Sequence, residues 1–365
     1  MEQSAAILLS RQPMRPTGKT AWVQKAKEAV QWVCKNNLLL FTSAGMSTWE
    51  ILLLLAKQNK VRQNILITAK NMTDFDSQYK STVYQFDLNK NMQEFMPVLP
   101  DSSSFSRDDL MQKRDKLIFS LADILIPVSV RKNGLMDKLI CELCNKSIMR
   151  EFKIDYNYST TPLSYRIDEK LLTKDLTDIK SGQYIIHWTR TANSAWPDER
   201  LMDYYSAVLE SDVYPRSAFS TLQNIIKTGK ITASAKHMPG KTAAVSFTAL
   251  SPHEIVPLIR WRQRYLQMSF EPYGIGIDRQ CAADCNILPV QYYDKASNYH
   301  HSAEDLWLSQ STGTITDWRC EKEFRHRGYF DLSQVAYDKL ICFCFTKNEA
   351  SALESTYGIR TVAFV

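Results

Sequence analysis

Two domains are predicted, an α/β domain first and an α+β, strand-rich domain after it. Three observations predict them. The chain has 365 residues, more than one ordinary hydrophobic core organises. Between residues 35 and 150, short apolar runs alternate with helix-like spacings, the pattern of strands joined by crossover helices. From residue 183 to the end, apolar runs of strand length dominate. The first domain is expected over 20–150, a polar linker over 151–182 and the second domain over 183–365.

Composition narrows the function classes. Hydrophobic residues make up 44% and charged residues 23%, which describes a folded chain rather than a disordered one. A net charge of +6 is compatible with an anionic ligand or nucleic acid without demanding either. The apolar run Ala5–Leu9 is too short for a signal peptide, and Ile51–Ala56 is far below a membrane span. A cytoplasmic protein with no membrane partner is expected. Cys141 and Cys144 form a C-x2-C on what reads as one helical face, with no second pair at zinc spacing. Cys281 and Cys285 lack a partnering His pair, and His300 and His301 read as a loop pair, so core thiols and no metal site are expected.

In order, residues 1–20 read as a loose leader with two prolines, and Trp22–Cys34 has helical spacing. Leu38–Thr42 is a buried strand, Ser43–Gly45 a turn, and Ser47 with Glu50 a capping box that opens a helix to Gln58. Asn64–Thr68 is the next strand. Strand, small-residue loop, helix and strand make a βαβ unit whose loop favours an anion or phosphate. Val83–Asp87 is read as a third strand, Ser102–Arg107 as a polar loop and Arg114–Ala122 as a helix. Ile124–Val130 is a strand, and Met136–Ser147 closes the series as a helix. This alternation is that of a Rossmann-like α/β domain, with Arg114, Asp115, Arg131 and Asn133 at the strand-end crevice.

The turn A-G-M-S-T-W-E (44–50) resembles the G-G-x-G-T-x-x-E loop of the Lonely-Guy, lysine-decarboxylase-like and DNA-processing superfamily. Gly45 matches the second glycine and Thr48 the threonine, while Ser47 replaces a glycine. Ile51 stands where that family has its catalytic glutamate, with Glu50 one residue early. The resemblance implies a nucleotide ligand at the N-terminal domain, held by Gly45, Ser47 and Thr48.

The second domain opens on the strand Tyr184–Thr189, which carries His187. Ala218–Ser234 reads as a helix stopped at Gly229 and then a short strand, and Ala243–Thr248 as a strand. Ser251 caps a helix with Glu254 three residues on. Tyr273–Asp278, Ile287–Tyr293, Lys339–Phe345 and Thr361–Val365 are strands. Between them lies D-W-R-C-E-K-E-F-R (317–325). Extended, it projects Asp317, Arg319, Glu321, Glu323 and Arg325 to one side, a charged row suited to a cleft wall. As a helix, Trp318, Glu321 and Arg325 would share a face, and a solvated edge strand laced with ion pairs has the same pattern.

H-W-T, L-x-x-I-I-x-x-G-x-I, V-S-F-T, Y-G-I-G-I, L-P-V-x-Y and E-x-E-F-R fall in the order of the AbiGi-like abortive phage resistance family. The resemblance spans about residues 184–330, with Trp188, Thr248-Ala249 and Phe324 as departures. The architecture is also similar to ADP-ribosyltransferases of the DarT, PARP and RNA 2′-phosphotransferase kind. There a His on the first strand holds NAD by its ribose, and a late-strand Glu follows. The matching positions are His187 and Glu321 or Glu323. Breaking the nicotinamide–ribose bond passes through an oxocarbenium-like sugar, which needs a nearby carboxylate. Arg190, Arg216 and Lys241 are candidates for the pyrophosphate, and Tyr214, Phe219 and Tyr273 for stacking on nicotinamide.

The expected function is a bacterial antiphage (abortive infection) effector. It would cleave NAD, as substrate, and transfer ADP-ribose to a macromolecular acceptor or to water, with or without a defence-system partner protein. Three rivals fit the same residues: a nucleotide or nucleoside N-glycosidase centred on Gly45, Thr48 and Glu50, a nucleic-acid-binding or nuclease component, and a non-catalytic defence partner.

Overall fold

The computed structural model describes residues 3–89, 91–102, 104–142, 146–159, 162–236, 238, 241–294, 305–312 and 317–365. Cys144, His300 and His301 lie outside the described residues. The chain divides into two compact units, Met1–Thr160 with Asn193–Pro215, and Thr161–Ala192 with Arg216–Val365. Residues 193–215 thus group with the first unit, where a division by sequence segments places them in the second. Among the described residues no helix is long and apolar enough to cross a membrane.

The first unit is a six-stranded parallel sheet. Its strands are β1 (Ser4–Leu9), β2 (Leu39–Ser43), β3 (Gln63–Thr68), β4 (Gln93–Val98), β5 (Ile124–Ser129) and β6 (Ser147–Ile148), in the order β4-β3-β2-β1-β5-β6. Helices α1 (Ala21–Lys35), α2 (Ser47–Gln58), α3 (Met72–Phe86), α4 (Arg107–Leu121) and α5 (Leu135–Glu142) alternate with the strands, so this unit is α/β and Rossmann-like. The stretch read as a leader contains β1, buried at all six residues and lying between β2 and β5. A strand covered on both faces reads as a short continuous apolar run, without the alternation that marks a half-buried strand. Val83–Asp87, read as a strand, is the last turn of α3 and its left-handed cap Asp87, and the buried Phe75, Thr82 and Phe86 of α3 keep helical spacing. The strand in this part of the chain is β4, at the sheet edge, where Pro97 is tolerated. Strand order reverses between β1 and β5, and a crevice forms there at their C-terminal ends.

The second unit is α+β and strand-rich. Its short elements are α6 (Lys174–Thr177), β8 (Lys230–Ile231), α9 (Pro252–Ile255), β10 (Trp261–Arg262), β11 (Gln267–Met268), α10 (Arg279–Asp284), β14 (Gln291–Tyr293), β15 (Ser309–Ser311) and β17 (Phe330–Asp331). The main sheet holds β7 (Tyr184–Trp188), β9 (Ala244–Thr248), β12 (Gly274–Asp278), β13 (Leu288–Pro289), β16 (Glu323–Arg327), β18 (Leu340–Cys344) and β19 (Thr361–Ala363). Their order is β13-β16-β9-β7-β12-β18-β19, antiparallel except for β18 with β19. Helices α8 (Ala218–Thr228) and α11 (Lys347–Tyr357) accompany it, α8 ending on Gly229 at φ +66°. The Ser251–Glu254 capping box forms.

Two features of this sheet position the site. Gly274 lies against β7 so closely that an added Cβ would meet Trp188 at 2.8 Å and the His187 carbonyl oxygen at 2.9 Å. β7 is thereby pressed onto β12 through five ladder pairs. On its other side β7 meets β9 through one ladder pair among the described residues, Ile186 opposite Thr248. The sheet is closed between β7 and β12 and open between β7 and β9.

Candidate functional site

The opening between β7 and β9 leads into a cavity of about 240 Å³. His187 and Trp188 of β7, Ser246 and Thr248 of β9, and Glu323 of β16 line it, with Arg190, Arg262, Trp318 and Glu321. His187, Glu321 and Glu323, distant in sequence, therefore reach one cavity.

They do not reach it as an extended row. Trp318–Glu321 is a 3-10 turn, Lys322 takes φ +43°, and the strand begins only at Glu323. Asp317 and Arg319 pair with each other at 2.7 Å on the exposed side of the turn. The left-handed residue between Glu321 and Glu323 turns the chain, so it is the bend and not strand alternation that gives both carboxylates to the cavity. Thr248 anchors the bend by donating its hydroxyl to the Glu321 carbonyl at 2.5 Å.

The two glutamates are held differently. Glu323 accepts a forked pair from Arg325, at 2.8 Å from Nε and 2.9 Å from Nη2, and a third bond from the Ser246 hydroxyl at 2.8 Å. Arg325 is 2% exposed. It also donates to the Trp307 and Ser309 carbonyls at 2.7 and 3.2 Å and to Gln310 at 2.9 Å, so every nitrogen of the guanidinium has a partner. Glu321 has no such clasp. Its nearest cation among the described residues is Arg262 Nη2 at 3.9 Å. Burial first and the like charge of Glu323 second push its carboxyl above the usual range, against Arg262, Arg190 and Arg260.

His187 is fixed through Nδ1, 2.9 Å from the Ser246 carbonyl oxygen. A carbonyl can only accept, so Nδ1 carries the proton and Nε2 is the lone-pair nitrogen of the neutral ring. Burial depresses the imidazole to about 4, and the ring is neutral at physiological pH. Ser246 thus ties His187 by its carbonyl and Glu323 by its hydroxyl. Arg262 lies 5.3 Å over the Trp318 ring and donates to Ser269 at 2.8 Å.

Other expected site residues are placed elsewhere. Arg216 is buried just before α8, its carbonyl accepting from Ala192 at 2.9 Å, and it does not line the cavity. Phe219 and Tyr273 pack ring to ring at 5.7 Å, and Tyr273 donates to Glu349 at 2.9 Å; both belong to the core of the second unit. Tyr214 belongs to the first unit, its hydroxyl 3.0 Å from that of Tyr204. Lys241 is exposed at φ +56° and does not line the cavity either. Sequence reasoning passed over Ser246, Thr248, Arg262 and Trp318 as site residues. Three of them stand in motifs, Ser246 and Thr248 in V-S-F-T and Trp318 in D-W-R-C-E-K-E-F-R, so motif membership was the available signal.

In the first unit, Gly45 takes φ +86° between β2 and α2, a conformation that favours glycine. The Ser47 cap does not form: Met46 holds the cap position, and Ser47 is the first, exposed, helical residue. Glu50 instead accepts from the Gly45 N–H at 3.0 Å and from the Tyr205 hydroxyl at 2.6 Å. Tyr205 comes from α7 (Leu201–Glu210), a helix of the same unit. Thr48 is buried, and its hydroxyl has no partner among the described residues. The loop's Gly45 N–H is therefore already answered by its own chain.

No protein-family model matches this chain. No curated protein matches it. Among solved structures, it is similar to DNA processing protein A (DprA) from Streptococcus pneumoniae, at 10% identity and a TM-score of 0.28. The similarity covers 40% of this chain and 49% of that one, so the chain spans about half the length of that structure.

Proposed function

We propose that the cavity of the second unit cleaves the bond between nicotinamide and ribose in NAD and passes ADP-ribose to water or to a macromolecular acceptor. One observation carries this reading: His187 and an unclasped Glu321 line the same cavity at the opening of the sheet. A neutral His187 offers Nε2 as acceptor for a ribose hydroxyl. Glu321, as carboxylate, faces the positive charge that grows on the sugar as the bond to nicotinamide breaks. Nicotinamide leaves with the bonding pair, and Glu321 then takes the proton of the attacking hydroxyl. Glu323 holds the strand and Ser246 in place. Trp318 offers an aromatic face, and Arg190 and Arg262 offer charge for phosphate. A cavity of about 240 Å³ suits the reacting base and sugar rather than a whole dinucleotide.

The test is the purified full chain with NAD, following free nicotinamide by chromatography. Release that falls about 10²–10³-fold in Glu321→Gln supports the proposal, and no release from wild type between pH 5 and 8 overturns it. The cellular role proposed with it, abortive infection, rests on motif order. It predicts that protection of bacteria from phage, scored by plating, disappears with Glu321→Gln. An N-glycosidase centred on Glu50 gains no observation, because both oxygens of that carboxylate are taken by its own unit.

A further inference from the structure

We propose that the strand-end crevice of the first unit is a second ligand site, which binds a nucleotide by its phosphate at Arg114 and Arg131. The crevice lies where strand order reverses, between the ends of β1 and β5, and has a volume of about 400 Å³. That is within the range of small-molecule sites, and strand-end crevices at such reversals are where open α/β sheets take ligands.

Its lining supplies charge and aromatic surface together. Arg11, Arg114 and Arg131 face one carboxylate, Asp115, so two positive charges are left over (three minus one). Arg114 is the anchor. It is 2% exposed, sits 5.5 Å over the Trp49 ring, and pairs with Asp115 Oδ1 at 3.0 Å from Nε and 2.7 Å from Nη2. Its remaining contact is Nη2 to the Met46 sulfur at 3.6 Å, a weak acceptor. Nη1 has no partner among the described residues. A buried guanidinium with one nitrogen unanswered, on the wall of a crevice, is satisfied by an oxyanion.

The rim is built to hold the other cations near. The Ser10 hydroxyl accepts from the Arg131 N–H at 2.9 Å, fixing the end of β5 to the end of β1. The Tyr156 hydroxyl donates to the Arg11 carbonyl at 2.9 Å. Tyr156 and the exposed Tyr158 then give the crevice the flat surfaces on which a base stacks. Arg114 also lines an adjoining cavity of about 450 Å³ beside Gly45. The Gly45 N–H is occupied by Glu50, so the phosphate is assigned to the arginines and not to the glycine turn. This site does not depend on NAD cleavage in the second unit.

Titration calorimetry of the full chain with AMP, GMP, their triphosphates and inorganic phosphate tests it. At least one nucleotide should bind with submillimolar Kd and more tightly than inorganic phosphate. Arg131→Ala, an exposed position, should weaken that binding at least tenfold, and Arg114→Met should abolish it. Lys339→Ala, an exposed position of the other unit that lines neither cavity, should leave it unchanged. The proposal is overturned if none of the nucleotides binds at 2 mM, if inorganic phosphate binds as well as they do, or if Arg131→Ala binds as wild type does.

Discussion

Glu50 in the first unit follows a turn and Glu321 in the second ends one, both are half-buried, and burial raises both carboxyls above their ordinary range. Their oxygens have different fates. One Glu50 oxygen accepts from Gly45 and the other from Tyr205, and both bonds favour the ionised form against burial. Among the described residues Glu321 has a cation no nearer than 3.9 Å, and a cavity lies beside it. A perturbed carboxylate therefore does not by itself mark a site. What separates a brace from a reagent is whether the protein has already satisfied the charge.

Glu323 is the sharpest way to break that distinction, because it stands two residues from Glu321 and is satisfied like Glu50. Glu323→Gln removes the carboxylate facing a guanidinium that is 2% exposed. Stripping one partner from a buried ion pair costs about 3–5 kcal/mol. Urea unfolding should show a loss of that size, and a fall in any activity should follow the loss of folded protein. A Glu323→Gln protein as stable as wild type would mean the clasp contributes nothing.

Glu321→Gln should behave in the opposite way. Nicotinamide release should fall about 10²–10³-fold, the usual effect of removing one group aimed at developing charge. Unfolding should shift little, since no hydrogen bond to its carboxylate is lost. Glu50→Gln should leave release intact and cost stability. If the two variants exchange these phenotypes, the chemistry belongs to the first unit.

His187 sharpens the comparison through pH. Its folded value is depressed from 6.5 to about 4, so between those values the unfolded chain binds the proton and the folded chain does not. Stability from this group is complete above about pH 6.5 and is lost as pH falls toward 4. Each pH unit in that window is worth about 1.4 kcal/mol. Allowing for water in the cavity, the loss is on the order of 2–3 kcal/mol. His187→Asn keeps a donor for the Ser246 carbonyl but cannot titrate. Its stability should fall less than that of wild type over the same window, and parallel curves would refute the assignment.

Much of the fold was legible because β2, β3 and β5 are apolar runs bounded by turns, and the β7–β12 core repeats that signal. β1 was missed because its run of six is followed by two prolines and no local feature says it is central. β4 was missed because Pro97 argues against a strand unless it is known to lie at an edge. Ser251 and Ser47 stand in the same S-x-x-E pattern, yet only Ser251 caps, because Met46 occupies the extended cap position at the start of α2. At the site, the spacing of Glu321 and Glu323 and the strand position of His187 were visible. Ser246 and Arg262 were not, because their roles come from which strand lies beside which. Tyr273 and Phe219 could stack on a ligand or on each other, and only their tertiary neighbours decide.

The smallest expected effect tests the satisfied carboxylate itself. Tyr205→Phe removes the hydroxyl that donates to Glu50 at 2.6 Å and leaves the ring, which stacks on Phe86 at 6.3 Å, in place. The cost at neutral pH should be about 1.5–2 kcal/mol, the low end for one bond to a charged group. That bond lowers the Glu50 value, so its loss raises a carboxyl already held above 4.5. In the window between the unfolded value and the raised folded value, the folded chain is the one that binds the proton. Acid therefore favours the folded state of the variant, and its deficit relative to wild type should shrink as pH falls from 7 toward 5. A deficit that stays constant over that range would mean the Tyr205 hydroxyl does not bear on the ionisation of Glu50. Glu50 would then be answered by the Gly45 N–H alone, and the contrast between the two glutamates would lose half of its basis.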